Sequence, residues 1–134
     1  MALQLVKATI PAGQSLSNGV SLGAGRLVRI RVPPQWQSAN LSFQCASADV
    51  LDQYRDLYHR GGNEIILNSV RPNTVIGFPA DITHFLQDAW VKIRSGHAGI
   101  AVPQPVACEF EFVLFKGPTT TQLLPAGVEE DEDS

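Results

Sequence analysis

A chain of 134 residues, 44% hydrophobic and 17% charged, has the length and composition of one globular domain that builds a core without metal or disulfide staples. Its net charge of −3 hides a division: five of its 13 acidic residues stand at 129–133, and outside them ten basic residues, spread from Lys7 to Lys116, face eight acidic ones. This composition excludes a disordered body and the dense basic stripe of a nucleic-acid binder, and no apolar run nears the ~20 residues of a membrane helix.

Residues 3–10 (LQLVKATI) predict a first strand, broken by Pro11-Ala12-Gly13. Residues 14–22 read as a weak strand, or as two short arms split at Asn18-Gly19, the strongest hairpin signal in the chain. Residues 26–32 alternate, with Val28, Ile30 and Val32 on one face and Arg29 and Arg31 on the other, until Pro33-Pro34 ends the run. Residues 40–47 place Leu41, Phe43 and Cys45 inward and Ser42 and Gln44 outward. The polar stretch 48–62 offers a short strand near Asp56–His59 or one helical turn. Two brief β-rich runs, 64–68 and 74–78, flank Pro72-Asn73. Residues 79–88 (PADITHFLQD) are the one helix-like piece, with Asp81 as its cap. Residues 89–95 predict a strand with Val91 and Ile93 inward and Trp90, Lys92 and Arg94 outward, and Ser95–Gly99 a loop. Residues 106–116 (VACEFEFVLFK) give the clearest strand, with Cys108, Phe110, Phe112 and Leu114 inward and Glu109 and Glu111 outward. About eight strands with turns every 8–12 residues indicate an all-β antiparallel sandwich over 1–117, with a jelly-roll the expected form, and strands as regular as the first and last often pair or lie near each other across sheets. From 118 to 134 the chain reads as an arm with an acidic tail.

No catalytic residue, cofactor site or metal site is assigned. Glu109 and Glu111 share a strand face, and the reading is a solvated surface paired with neighbouring bases. His59, His84 and His97 lack the close spacing of zinc ligands. Cys45 and Cys108 read as two buried thiols, since two cysteines do not make a disulfide scaffold. Gly23-Ala24-Gly25 precedes a strand rather than the helix a phosphate cradle needs. Asn40-Leu41-Ser42 fits a glycosylation sequon, but Met1–Lys7 has neither the basic start nor the apolar stretch of a secretion leader, so a cytoplasmic protein is expected. Trp36, in the loop after the paired prolines, and Trp90 are candidate exposed anchors for a protein or a sugar ring, the alternative being that each covers one end of the sandwich.

Four pieces in order resemble small proteins encoded beside the major capsid protein of tailed phages: VRIRVPPQWQSANLSFQCASAD, YRDLYHRGGNEIIL, FPADITHFLQDAWVKIRSG and PVACEFEFVLF. A Trp-containing turn (Trp36) leads into an A-x-L-x-F-Q strand core carrying Leu41 and Phe43, and a later strand ends in Lys92-Ile93-Arg94-Ser95-Gly96. The similarity spans about residues 26–115 and is to capsid decoration, or cement, proteins with a jelly-roll sandwich. The chain departs from them at residues 46–59, where a longer excursion through Asp49-Val50-Leu51 replaces a tight Asp-Gly turn. The acidic tail lies outside the shared pattern.

The resemblance implies a non-enzymatic virion protein, assembled in the host cytoplasm, that stabilises the shell between capsomers. Its partners would be the major capsid protein and copies of itself as a dimer or trimer, with no nucleic acid and no membrane. The expected contact residues are Leu3 and Leu5 on the first strand, Trp36 and Trp90, and Leu123, Leu124, Glu129, Glu130 and Asp131 on the arm. The alternatives are a carbohydrate-binding or host-attachment module using the tryptophans, or a tail or neck adaptor.

Overall fold

The computed structural model describes residues 2–59, 61–78 and 88–116. Among them run ten strands: β1 (Ala2–Ile10), β2 (Val20–Ser21), β3 (Arg26–Arg31), β4 (Ala39–Ala46), β5 (Arg55–Asp56), β6 (Ile66–Val70), β7 (Val75–Gly77), β8 (Trp90–His97), β9 (Ile100–Ala101) and β10 (Cys108–Lys116). The only helical piece among the described residues is a 3-10 turn at Leu51–Gln53. Nearly all of the helix expected at 79–88 lies outside the described residues.

The strands form an antiparallel sandwich. One sheet has the order β1-β10-β3-β7. In the other, β2-β8-β4 carries both β5 and β6 along the far side of β4, with β9 on the end of β8. The first and last strands do pair, in unbroken register from Ala2↔Lys116 to Ile10↔Cys108.

Period-two alternation places the core. Ala8 and Ile10 of β1, Ile30 of β3, and Phe110, Phe112 and Leu114 of β10 pack against Leu41 and Phe43 of β4 and Val91 and Ile93 of β8, all almost wholly buried. Glu109 and Glu111 face out as the alternation requires.

Three expectations are corrected. The alternation in β3 slips: Leu27, not Val28, joins Ile30 inside. The register with β10 shifts between Val113 and Leu114, so Val28 is the extra residue of a bulge, and a bulge moves the following side chains without changing the residue pattern. Asn18-Gly19 is not a hairpin turn. Leu16 and Val20 both pair with β8, and the three residues between form a kink in one broken strand. The loop expected at Ser95–Gly99 begins later, because β8 continues to His97. It turns at Ala98-Gly99, and within β8 Gly96 has a φ of 101° that suits glycine and sits where a Cβ would strike the Ile100 carbonyl oxygen.

Trp36 is not an anchor on the surface. It is 2% exposed, its ring meets Phe110 edge-on at 5.3 Å, and its Nε1–H donates to the Val70 carbonyl at 3.0 Å. Loop position does not imply exposure when a large ring has both an apolar pocket and a partner for its one polar atom. Trp36→Ala is therefore expected to cost about 3–5 kcal/mol of unfolding free energy, and Trp36→Phe, which keeps a ring but orphans the Val70 carbonyl, about 1–3 kcal/mol. Urea denaturation measures both, and an unchanged midpoint for Trp36→Ala contradicts the burial.

Candidate interaction surface

Three loops meet at the end of the sandwich where β1 finishes and β10 begins, and one fully buried amide holds them together. Gln104 accepts at Oε1 from the Gln37 amide at 2.8 Å and donates from Nε2 to the Gln37 carbonyl at 3.0 Å and to Ser95 Oγ at 3.1 Å. The Cys108 thiol adds a weaker contact to Oε1 at 3.8 Å. Gln104's own backbone donates to the Gln14 carbonyl and accepts from the Gly13 amide. A side-chain amide has two donors and two acceptor sites, and here all four are used.

The surface so gathered carries almost no charge. The stretches 8–25, 32–48 and 95–108 contain no Asp, Glu, Lys or Arg, and their one histidine is His97. Their tips expose apolar side chains: Pro11, Ala12, Ile100 at 56%, Val102, Pro105 and Val106. Desolvating neutral apolar groups costs far less than desolvating ions, so such an end suits contact with another protein. None of these residues was singled out from sequence, although the charge-free runs were there to be read.

The second feature is β1, an edge strand. Leu3 and Leu5 are each 55% exposed, as expected, and stand on the outer face beside Val113 and Phe115, their register partners on β10. Trp90 is half-buried at the start of β8, between Ser21 and Ala46. Leu123, Leu124, Glu129, Glu130 and Asp131 lie outside the described residues.

The titratable groups are largely committed to one another. Arg94 was expected on the outside, and it does project from the outer face of its sheet, but it is 8% exposed. Its Nε donates to Ser42 Oγ at 2.9 Å, and its two terminal nitrogens reach Asp56 and Glu64 at 2.6 Å each. Glu64 also accepts from the Ala98 amide. The carboxylates of Asp56 and Glu64 thus cover the guanidinium. Burial alone would raise the Asp56 carboxyl, but the hydrogen bonds from Arg94 and Gln44, with Arg94's charge, outweigh it and hold that carboxyl below the ordinary 3.8.

Glu109 lies 3.9 Å from Lys7, and Glu111 lies 3.1 Å from Arg31, both beside a cleft of about 390 Å³ at the edge of the outer face. An acid/base pair needs one carboxyl kept protonated by burial or by a like charge; each of these has a cation beside it instead. Cys45 and Cys108 are free thiols. Burial pushes Cys45 up to about 12 and raises Cys108 as well, which holds both in the unreactive protonated form. Among the described residues no cluster of His, Cys, Asp and Glu is placed to hold a metal ion.

No protein-family model, no curated protein and no solved structure matches the chain.

Two measurements test these devices. Gln104→Leu keeps the volume but orphans the Gln37 backbone and Ser95, so a loss of about 1–3 kcal/mol is expected, with hydrogen-exchange protection lost first at residues 11–14 and 33–38. Asp56 has a folded pKa below its unfolded value, so its stabilising effect is complete above the ordinary carboxylate range and is lost as pH falls through it and below. The melting temperature should drop on acidification below about pH 4, and Asp56→Asn should be less stable at neutral pH with a flatter profile there. An Asp56→Asn curve parallel to wild type contradicts the assignment.

Proposed function

We propose that this chain is a structural subunit of a tailed-phage particle that attaches to the outer surface of the capsid and stabilises the shell between capsomers, acting by binding and not by turnover. The observation that carries this reading is the uncharged, apolar end built from residues 11–14, 33–38 and 98–107 around Gln104. A rigid neutral surface made of three loops on a sandwich is a contact device. The sequence resemblance to capsid decoration proteins supplies the partner, the major capsid protein.

The strand order supports the jelly-roll part of the reading. The layers β1-β10-β3-β7 and β2-β8-β4-β6 interleave early and late strands as two Greek keys do, an architecture that recurs in viral capsid and lectin domains. Fold alone does not assign function, and the partner rests on the resemblance. The sugar-binding alternative needed an aromatic platform; Trp36 is sealed in the core and Trp90 is half covered, so no specific feature favours it.

Shell attachment would draw on repetition. One contact of ordinary size spans micromolar to picomolar affinity depending on its packing, and bridging several capsid subunits multiplies the effect. Purified chain mixed with shells of the major capsid protein from the same genome should co-sediment with them and raise the temperature at which they break open. Val106→Glu and Ile100→Glu put a charge on the end while leaving the core untouched, and each should weaken shell binding by roughly tenfold or more. Sedimentation with isolated tails instead of shells moves the contact to a neck or tail adaptor, and binding to neither ends the reading.

A further inference from the structure

We propose that two copies of this chain pair through β1, antiparallel, about a two-fold axis at Leu5. The inference rests on β1 alone and holds whatever surface the pair attaches to. Thr9 shows which way the strand's backbone points: its N–H donates to Asn18 Oδ1 at 2.8 Å and its carbonyl accepts from the Asn18 amide at 3.4 Å, both on the side away from β10. In an antiparallel ladder each residue's N–H and C=O point the same way, and the direction alternates along the strand. Lys7, Leu5 and Leu3 therefore turn their backbone groups to the outer edge too, and no described residue bonds to them there.

This open stretch is its own complement. Centred on Leu5, a second β1 sets Leu5 opposite Leu5 and Leu3 opposite Lys7, and each pair exchanges two N–H···O bonds. A shift toward Thr9 meets the bonds already made by Asn18 and strands Leu3; a shift the other way carries Lys7 past Ala2, where β1 starts. The side chains agree with the centred register. Leu3 and Leu5, 55% exposed in one copy, gather with their counterparts on one face. Lys7 faces leucine instead of another lysine, so no like charges oppose each other across the axis. Of the usual devices that keep edge strands from pairing, β1 has no proline and no inward charge; its one such device, the exposed Lys7, comes to lie opposite Leu3 in this register. The two copies then share one continuous sheet, β7-β3-β10-β1-β1-β10-β3-β7.

Sedimentation equilibrium of the full chain should show a concentration-dependent dimer. Leu5→Pro removes an N–H that points away from β10, a position an edge strand tolerates, so the variant should keep its circular dichroism and lose the dimer. Leu5→Cys tests the register without disturbing the strand: residues opposite each other in a hydrogen-bonded pair have Cα atoms about 5.5 Å apart, within disulfide reach. Oxidised Leu5→Cys should run as a covalent dimer, whereas wild type and Leu3→Cys should not. A wild-type chain that stays monomeric at every concentration, a dimer that survives Leu5→Pro, or cross-linking at Leu3→Cys and not at Leu5→Cys overturns the proposal. Shell binding by wild type with no dimer in solution removes this pairing and leaves the capsid reading standing; a dimer that ignores shells does the reverse.

Discussion

A buried amide governs the surface of this molecule. Gln104 has no exposure, and its side chain meets the Gln37 backbone on both sides, so the loop 33–38 is held much as a strand holds its neighbour. Its backbone takes up the loop 11–14 in the same manner. Trp36 ties the loop 33–38 to the core, but uncharged loops have little else to order them against one another. A polar side chain whose capacity is fully used supplies that order, because leaving any of its partners unpaired in the interior costs more than a hydrogen bond gains. The consequence is a firm end on the sandwich made from three segments far apart in the chain.

Arg94 does related work on the outer face of the other sheet. A guanidinium at 8% exposure is costly unless its donors are met, and here a hydroxyl and two carboxylates meet them. Replacing such a cluster with apolar groups of the same shape would often be neutral for stability, so stability alone does not account for it. What it adds is location: only one placement of the segment from Asp56 to Glu64 lets both carboxylates reach the same side chain, and Glu64 extends that placement to the Ala98 amide at the turn after β8. The two polar devices meet at neighbouring residues, since Gln104 bonds Ser95 while Arg94 is the residue before it. The strand β8 is therefore the common support of the covered face and the exposed end.

Much of the fold was legible because alternation is a property of the backbone. The inward residues of β10, β8 and β4 and the pairing of the first and last strands followed from period two and strand regularity. The failures have separate physical origins. Val28 misled because a bulge adds a residue to one strand without any mark in the sequence. Arg94 misled because alternation assigns a face, and burial depends on what crosses that face later in the chain. Trp36 misled because its neighbours look like a loop, while its partner, the Val70 carbonyl, lies 34 residues away. Asn18 followed its usual chemistry, a short amide bonding to backbone, but spent it on the edge of β1 and not on a hairpin. The candidate surface was half legible. Leu3 and Leu5 were singled out on the first strand and are exposed, whereas the uncharged end required knowing that Gln104 draws three segments together.

Asn18 also separates the two surfaces. Its side chain and backbone occupy the outward groups of Thr9, one residue short of the last position of β1 and two short of Pro11, where the uncharged end begins. Strand pairing along β1 stops there, so an edge-to-edge partner does not run onto the loops held by Gln104. An open backbone edge would select a partner by register and the loop end by shape and neutrality, and the closed boundary at Thr9 keeps the two surfaces apart. A glycine at position 18 would free the Thr9 N–H but leave its carbonyl bonded to the residue-18 backbone amide, so side chain and backbone close Thr9 by separate bonds. The point where the open edge of β1 ends thus depends on a residue outside the strand, at a position the sequence read as part of a weak strand or as a split between two short arms.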